Sequence, residues 1–247
     1  MADPLAAHDV ALVRADNPGP FTLEGTNTWV LGRNSAWVVD PGPEGLEDHV
    51  AAVAAEVAAR GGLGGIALTH SHADHSGAVE ALLAATGPAP VASAHRTGLA
   101  DGERFGPLLA VATPGHSEDH LAFVAGPVLF AGDAVLGRGS VYVAPAPGAL
   151  AGYLEALRRL REMDLELLCP GHGPLVTDPA AKLDEYVAHR LDRERRLLDA
   201  LARGLRTEAQ LLDDVWDDAP PGLRPAAATT LRAHLQKLEE EGRLPGG

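Results

Sequence analysis

Apolar residues along this chain fall into two kinds of run. Short continuous stretches, Thr28–Leu31, Ala36–Val39, Ile66–Thr69, Leu121–Val124, Val128–Ala131 and Leu167–Cys169, each end at Gly, Pro or a polar cluster. Their length and β-branched content predict buried strands. Longer stretches repeat apolar residues every three or four positions. Gly45–Arg60 does so through Leu46, Val50, Val53 and Val57 and stops at Gly61-Gly62, and Leu150–Met163 does so through Leu150, Tyr153, Leu154, Leu157 and Leu160. This spacing predicts helices. Up to Asp178 the pattern is therefore α/β, with His and Asp in the loops where strands end, the usual place for chemistry on such sheets.

Beyond Asp178 the strand pattern disappears. Lys182–Arg203 is amphipathic and ends at Gly204, Thr207 and Gln210 form a capping box ahead of Leu211, Leu212, Val215 and Trp216, and Ala226–Glu241 closes the series. Three helices around a short turn resemble a helix-turn-helix or a winged helix with little room for a wing. The charge balance shifts at the same place. Residues 180–247 hold 11 of the 20 Lys and Arg but only 13 of the 34 Asp and Glu, so most of the net charge of −14 lies before them. The Gly/Pro punctuation from Pro170 to Pro174 and at Asp178-Pro179 adds to the case for two domains, 1–178 and 179–247.

Composition narrows the classes. At 247 residues with 46% hydrophobic and 22% charged residues, the chain can fill a core and is not a disordered tract. The acidic balance disfavours sequence-blind nucleic-acid binding, which draws its affinity from Lys and Arg. The first 20 residues hold no apolar run of signal-peptide length, and no stretch of about 18 apolar residues occurs anywhere, so a soluble cytoplasmic protein away from membranes is expected. Cys169 is alone and permits no intrachain disulfide.

The 11 histidines carry the chemistry. His70, His72, Asp74 and His75 lie within six residues directly after an apolar strand. In an extended or turning loop, residues two apart point to the same side, so His70 and His72 can converge on one ion while Asp74 and His75 face a neighbour. His116, Asp133 and His172 each add one more metal-binding side chain where an apolar run ends near a Gly. A single His would be read as an ordinary loop residue. Seven such residues in this arrangement point to two adjacent metals, with zinc favoured by the nitrogen and carboxylate donors and iron, manganese or nickel as alternatives.

The pattern H-x-H-x-D-H followed by H, D and H resembles the metallo-beta-lactamase superfamily and is matched in full by these seven residues. The resemblance implies a four-layer αββα sandwich with two zinc ions at the edge of the paired sheets. It also implies that His70, His72 and His116 hold one ion, that Asp74, His75 and His172 hold the other, and that Asp133 bridges both. The catalytic candidates are Asp74 and Asp133, with His120 a proton donor over the metals or a surface residue. The opening from Asn17 to Thr28, the stretch Thr113–His120 and the tail through Ala233–Leu238 and Glu241-Gly242 resemble the beta-lactamase-like protein 2 group, whose tail is a winged-helix-like domain. That group includes carrier-protein thioesterases and a single-strand endoribonuclease.

The expected activity is accordingly metal-dependent hydrolysis of a thioester or related acyl compound by a hydroxide shared between two ions, not antibiotic hydrolysis. A second reading keeps the same centre and cuts single-stranded RNA, with Arg190, Arg193, Arg195, Arg196 and Arg203 along one helix gripping phosphates. The interleaved Asp192, Glu194 and Asp199 speak against it. A third, a ligand-sensing DNA-binding regulator, lacks a basic recognition helix, since Ala226–Glu241 ends in three glutamates. The tail is expected to cover the mouth of the site or to form a homodimer contact. His8, His49, His189 and His234 are expected on surfaces, and Asn27 and Thr28 at the border of the site.

Overall fold

The computed structural model describes residues 3–244. Among the described residues, ten strands form two five-stranded sheets. The first contains β1 (Val10–Arg14), β2 (Asn27–Leu31), β3 (Ala36–Val39), β4 (Leu63–Ala67) and β5 (Val91–Ala92), in that spatial order. The second contains β6 (Arg104–Phe105), β7 (Leu108–Ala112), β8 (Leu121–Ala125), β9 (Val128–Gly132) and β10 (Leu167–Pro170), in reverse order. Each sheet is mixed: β3–β4, β4–β5 and β9–β10 pair parallel and the others antiparallel.

Successive side chains of a strand point to opposite faces, and here both faces are covered. Trp29, Leu31, Val39 and Ala67 face inward and meet Phe123, Phe130, Leu167 and Cys169 of the other sheet. Their neighbours Val30, Val38, Ile66 and Leu68 face outward onto Val53 and Val57 of α1 (Glu47–Ala59) and Val79 and Leu82 of α3 (Val79–Thr86). On the far side Ala122, Leu129, Ala131 and Leu168 take Leu150, Tyr153 and Leu157 of α5 (Ala149–Arg161) and Leu183 and Tyr186 of α6 (Pro179–Ala202). The layers run helix, sheet, sheet, helix. Two short helices complete this part, α2 (Ala73–Ser76) and α4 (Ala94–Thr97).

Helix α6 continues past the sandwich. Its later residues Leu197, Ala200 and Leu201 join Leu211, Leu212 and Val215 of α7 (Glu208–Val215), Trp216, and Leu231 and Leu238 of α8 (Arg224–Glu240) in a separate cluster. The capping box at Thr207 and Gln210 is present in both directions. No strand follows α8 among the described residues, and none of the described helices is long and apolar enough to cross a membrane.

Several sequence expectations shift. The strand expected at Ile66–Thr69 starts and ends earlier, because Gly64 and Gly65 lie inside it and break its apolar run. Strands β1 and β7 and helix α3 escaped the pattern reading. His49 and His234 are not surface residues: both are buried. His49 Nε2 lies 3.0 Å from both the Thr28 hydroxyl and the Pro41 carbonyl, under the turn that follows β3. His234 packs against Trp216 with ring centroids 5.8 Å apart, and neither of its ring nitrogens has a hydrogen-bond partner.

Burial, with Arg190 and Lys237 nearby, pushes the pKa of His234 down to about 3. Below the ordinary value of 6.5 the unfolded chain therefore takes up a proton at this ring while the folded chain does not. Stability contributed at higher pH is lost as pH falls from 6.5 toward 3. His234→Phe removes both the buried unpaired nitrogens and this proton linkage. Thermal melts from pH 7.5 to 5 are expected to give the variant a higher midpoint at pH 7.5, corresponding to about 1–2 kcal/mol of added stability, and a wider margin at pH 5. A margin that stays constant with pH would show that His234 is not the linked group.

Candidate metal centre

The seven residues arrive from different loops at one end of the paired sheets. His70 follows β4 by three residues, and His72 caps α2, which carries Asp74 and His75. His116 lies between β7 and β8, Asp133 directly after β9, and His172 two residues after β10. Three triads result, each with its donor atoms within 4.8 Å of one another: His70, His72 and His116; Asp74, His75 and His172; and His70, His75 and Asp133.

Asp133 stands between the two outer triads. One carboxylate oxygen is 3.5 Å from His75 Nε2, and the other is 3.6 Å from His116 Nε2 and 3.5 Å from His172 Nε2. The loops are drawn in by glycine. A Cβ on Gly171 would stand 2.4 Å from the Asp133 carboxylate and 2.7 Å from the His75 ring, so only a residue without a side chain lets the His172 loop close on the centre. Asn27 holds that loop from the other sheet, donating from Nδ2 to the carbonyls of Pro170 and Gly173 at 3.0 and 2.9 Å.

Behind the donors sits Asp40, which the sequence reading missed. It follows β3 in a left-handed conformation (φ 53°) and is buried. Its carboxylate accepts from the Thr69 amide at 2.8 Å, the Thr69 hydroxyl at 2.7 Å and His75 Nδ1 at 2.8 Å. The hydroxyl has one proton, given to Asp40, so its 2.9 Å contact with His70 Nδ1 requires His70 to donate. Asp40 thereby sets the tautomers of two histidines, one in each outer triad, and leaves both Nε2 lone pairs facing the centre. His172 Nδ1 reaches the Gly25 carbonyl at 3.4 Å, with the same effect.

These lone pairs face one another. His72 Nδ1 is 2.9 Å from both His70 Nε2 and His116 Nε2, and His75 Nε2 is 3.2 Å from His172 Nε2. One Asp133 oxygen is buried with no hydrogen-bond partner. Divalent cations satisfy such an array directly, so the residues fit a metal site. The electrostatics agree. Burial lowers the pKa of His75 and of His172, yet Asp133 with Asp40 raises the first well above its ordinary value and Asp133 with Asp74 raises the second to about 9. Burial pushes Asp133 up, but His75 and His172 hold it well below the usual carboxylate range. The carboxylates thus favour positive charge here, and the protons that His75 and His172 hold in the absence of an ion are ones that a divalent cation displaces to free the Nε2 lone pairs.

His120 is buried beside these residues with both nitrogens engaged. Its Nε2 accepts from the Asp133 amide at 3.0 Å and its Nδ1 contacts the Thr113 hydroxyl at 2.7 Å. Burial and His116 push its pKa down to about 3, so it is neutral, and the accepting Nε2 leaves the proton on Nδ1. Thr28 donates to the Asp40 carbonyl at 2.7 Å and supports the same turn. His8, His95, His189 and His234 do not join the centre. Tyr142, absent from the sequence reading, places its ring 4.6 Å from that of His116.

A model of the Metallo-beta-lactamase superfamily matches this chain over residues 21–100 and 94–172, which include all seven residues. The chain belongs to the metallo-beta-lactamase superfamily. A model of the beta-lactamase associated winged helix domain matches residues 207–244. Among superfamily relatives, a beta-lactamase-like protein 2 homolog of Caenorhabditis elegans is 30% identical over 254 residues, covering 94% of this chain and 85% of that one. A protein of Aspergillus chevalieri named atrochrysone carboxyl ACP thioesterase is 33% identical over 216 residues, covering 81% of this chain and 68% of that one. The crystal structure of a metallo-beta-lactamase family protein from Thermus thermophilus is similar with a TM-score of 0.77 at 25% identity, covering 97% of this chain and 96% of that one.

Asp40→Asn keeps the shape of the side chain but removes the charge that fixes His70 and His75. Metal affinity, measured by competition with a chromophoric chelator, is expected to fall about 10- to 100-fold. Unchanged affinity would remove Asp40 from the support of the centre.

Proposed function

We propose that this superfamily hydrolase uses two divalent ions to cleave an acyl thioester. His70, His72 and His116 would hold one ion and Asp74, His75 and His172 the other, with Asp133 contributing between them. Zinc suits the imidazole and carboxylate donors best, and iron or manganese would also be accepted. When bound, paired ions of this kind acidify water and polarise the bond to be cleaved.

The observation that carries the reading is the position of Asp133, whose two oxygens face histidines of both outer triads while the residue also lines a cavity of about 880 Å³. The chain's own groups divide the remaining tasks. His120 orients Asp133 through its backbone amide. Asp74 borders the cavity, and although burial raises its pKa, His172 and His75 bring it below the ordinary value, so it enters the reaction ionised and able to receive a proton. Tyr142 keeps its phenol proton, since burial and then Asp133 and Asp74 push its pKa up, and it lines the cavity as a hydrogen-bond donor for the substrate.

The cavity favours an acyl substrate over RNA. Its walls include Phe21, Leu136, Val141, Trp216 and Leu223. Four of the five arginines of α6 that would grip phosphates are already paired, Arg193 with Asp218, Arg195 with Asp192 and Asp199, Arg196 with Asp217, and Arg203 with Asp214, and the fifth, Arg190, is buried. The thioesterase name of the Aspergillus relative points the same way. In this reading residues 1–178 form the domain that carries the metal ligands, and 179–247 form the domain that shapes the cavity.

Protein reconstituted with zinc is expected to contain about two ions per chain and to hydrolyse thioesters far faster than single-stranded RNA, phosphodiesters or lactams. Asp133→Asn should lower turnover at least about 10²-fold with little change in thermal midpoint. Cleavage of RNA with thioesters untouched, or near-normal turnover in the variant, would overturn the proposal.

A further inference from the structure

The cavity that reaches the metal ligands is also lined by Arg190 of α6. This arginine is 2% exposed and stands among the largest fully buried side chains. Its guanidinium lies over the Tyr153 ring, 5.6 Å from the centroid, and one Nη donates to the Val141 carbonyl. Its Nε is buried with no hydrogen-bond partner. The Tyr153 hydroxyl is a further neutral partner of the guanidinium, and no carboxylate pairs with it among the described residues.

Arg190 also forms no ion pair among the described residues, and the carboxylates that neighbour it in sequence or line the same cavity have partners of their own. Glu185 binds Lys182, Asp184 binds Arg161, Glu194 binds Lys237 and Arg243, and Asp218 binds Arg193. A permanently charged side chain held out of water without a counter-charge is costly, and such groups are ordinarily paired. A buried cation bordering a largely apolar cavity is the arrangement that receives an anion from a ligand, with a carboxylate matching the two-donor geometry of the fork.

We propose that Arg190 binds a carboxylate on the acyl part of the substrate, remote from the thioester bond, and so selects acidic acyl groups over neutral ones of the same length. The assignment rests on the thioester reading above. The apolar walls take the chain between the two ends, and the ligand's carboxylate gives Arg190 the counter-charge that the protein does not supply. It is a specificity residue, outside the reacting atoms.

The test compares adipoyl and hexanoyl thioesters of N-acetylcysteamine, which differ only in the terminal carboxylate, on wild type, Arg190→Met and Arg190→Lys. Wild type is expected to show a KM for the adipoyl substrate lower by about 10- to 100-fold. Arg190→Met should abolish that preference while leaving hexanoyl hydrolysis within about threefold of wild type. Arg190→Lys keeps the charge without the fork and should retain part of it. Equal KM values in wild type would overturn the proposal without any variant. So would a preference that survives Arg190→Met, which would assign the carboxylate to the metals, or equal losses on both substrates, which would make Arg190 a support for the Val141 segment. Hexanoyl phosphopantetheine bound more tightly than its N-acetylcysteamine counterpart in an Arg190-dependent way would place the anion on the thiol side and overturn the acyl assignment. Calorimetry with the matching amides, nitrogen replacing the scissile sulfur, separates the two readings. Arg190-dependent binding of the acidic amide with no thioester cleaved would sink the thioesterase reading and uphold the subsite. Thioester cleavage with no acidic preference would do the reverse.

Discussion

The centre depends on one buried carboxylate that is not itself among the seven metal-binding candidates. Asp40 accepts three hydrogen bonds from Thr69 and His75, and through the Thr69 hydroxyl it reaches His70. An ionised group in the interior is tolerated only when its lone pairs are filled, and here the filling does a second job. Two of these bonds, from His75 and from the Thr69 hydroxyl that His70 contacts, turn an imidazole Nε2 toward the metal centre. The left-handed turn that places the carboxylate is held in turn by Thr28 and His49. The reach of this small network explains why the strand ends of the first sheet are so polar and yet so buried.

Much of this was legible in the chain. The strands of the sandwich are nearly continuous apolar runs because both faces are covered, and the seven candidate metal ligands announce themselves by spacing. Asp40 was not legible: a single Asp before Pro41-Gly42 has the appearance of an ordinary turn. Tyr142 escaped, and Arg190 stood out only as one of a row of helix arginines able to hold phosphates, for a related reason: each acts through the partner it meets across the fold. Arg190 sits in a helix whose Arg193, Arg195, Arg196 and Arg203 are ion-paired, and nothing in local sequence sets it apart. His234 failed in the opposite direction, a polar residue on an amphipathic helix that both neighbouring clusters enclose. The edge strand β1 was missed because its side chains are only partly buried, which blurs the apolar run.

The two parts of the chain are less separate than the charge shift suggests. Leu183 and Tyr186 of α6 complete the sandwich core, while Leu197 and Leu201 of the same helix complete the cluster with α7 and α8. The Tyr186 hydroxyl accepts from the Leu136 amide at 2.9 Å, in the loop that begins at Asp133. The Thr230 hydroxyl of α8 accepts from the Val143 amide at 3.2 Å, beside Tyr142. The cavity is the space these contacts leave open.

An unbroken helix of 24 residues spans about 36 Å. Because both halves of α6 are bolted into hydrophobic clusters, it works as a beam shared by two buildings, and neither can tilt without dislodging side chains from the other. The width of the cavity is then a fixed dimension of the scaffold, with no hinge in the helix to adjust it. Substrate length is measured by architecture, and natural variation in what such proteins accept would have to arise by changing the side chains that paper the walls, leaving the beam where it is.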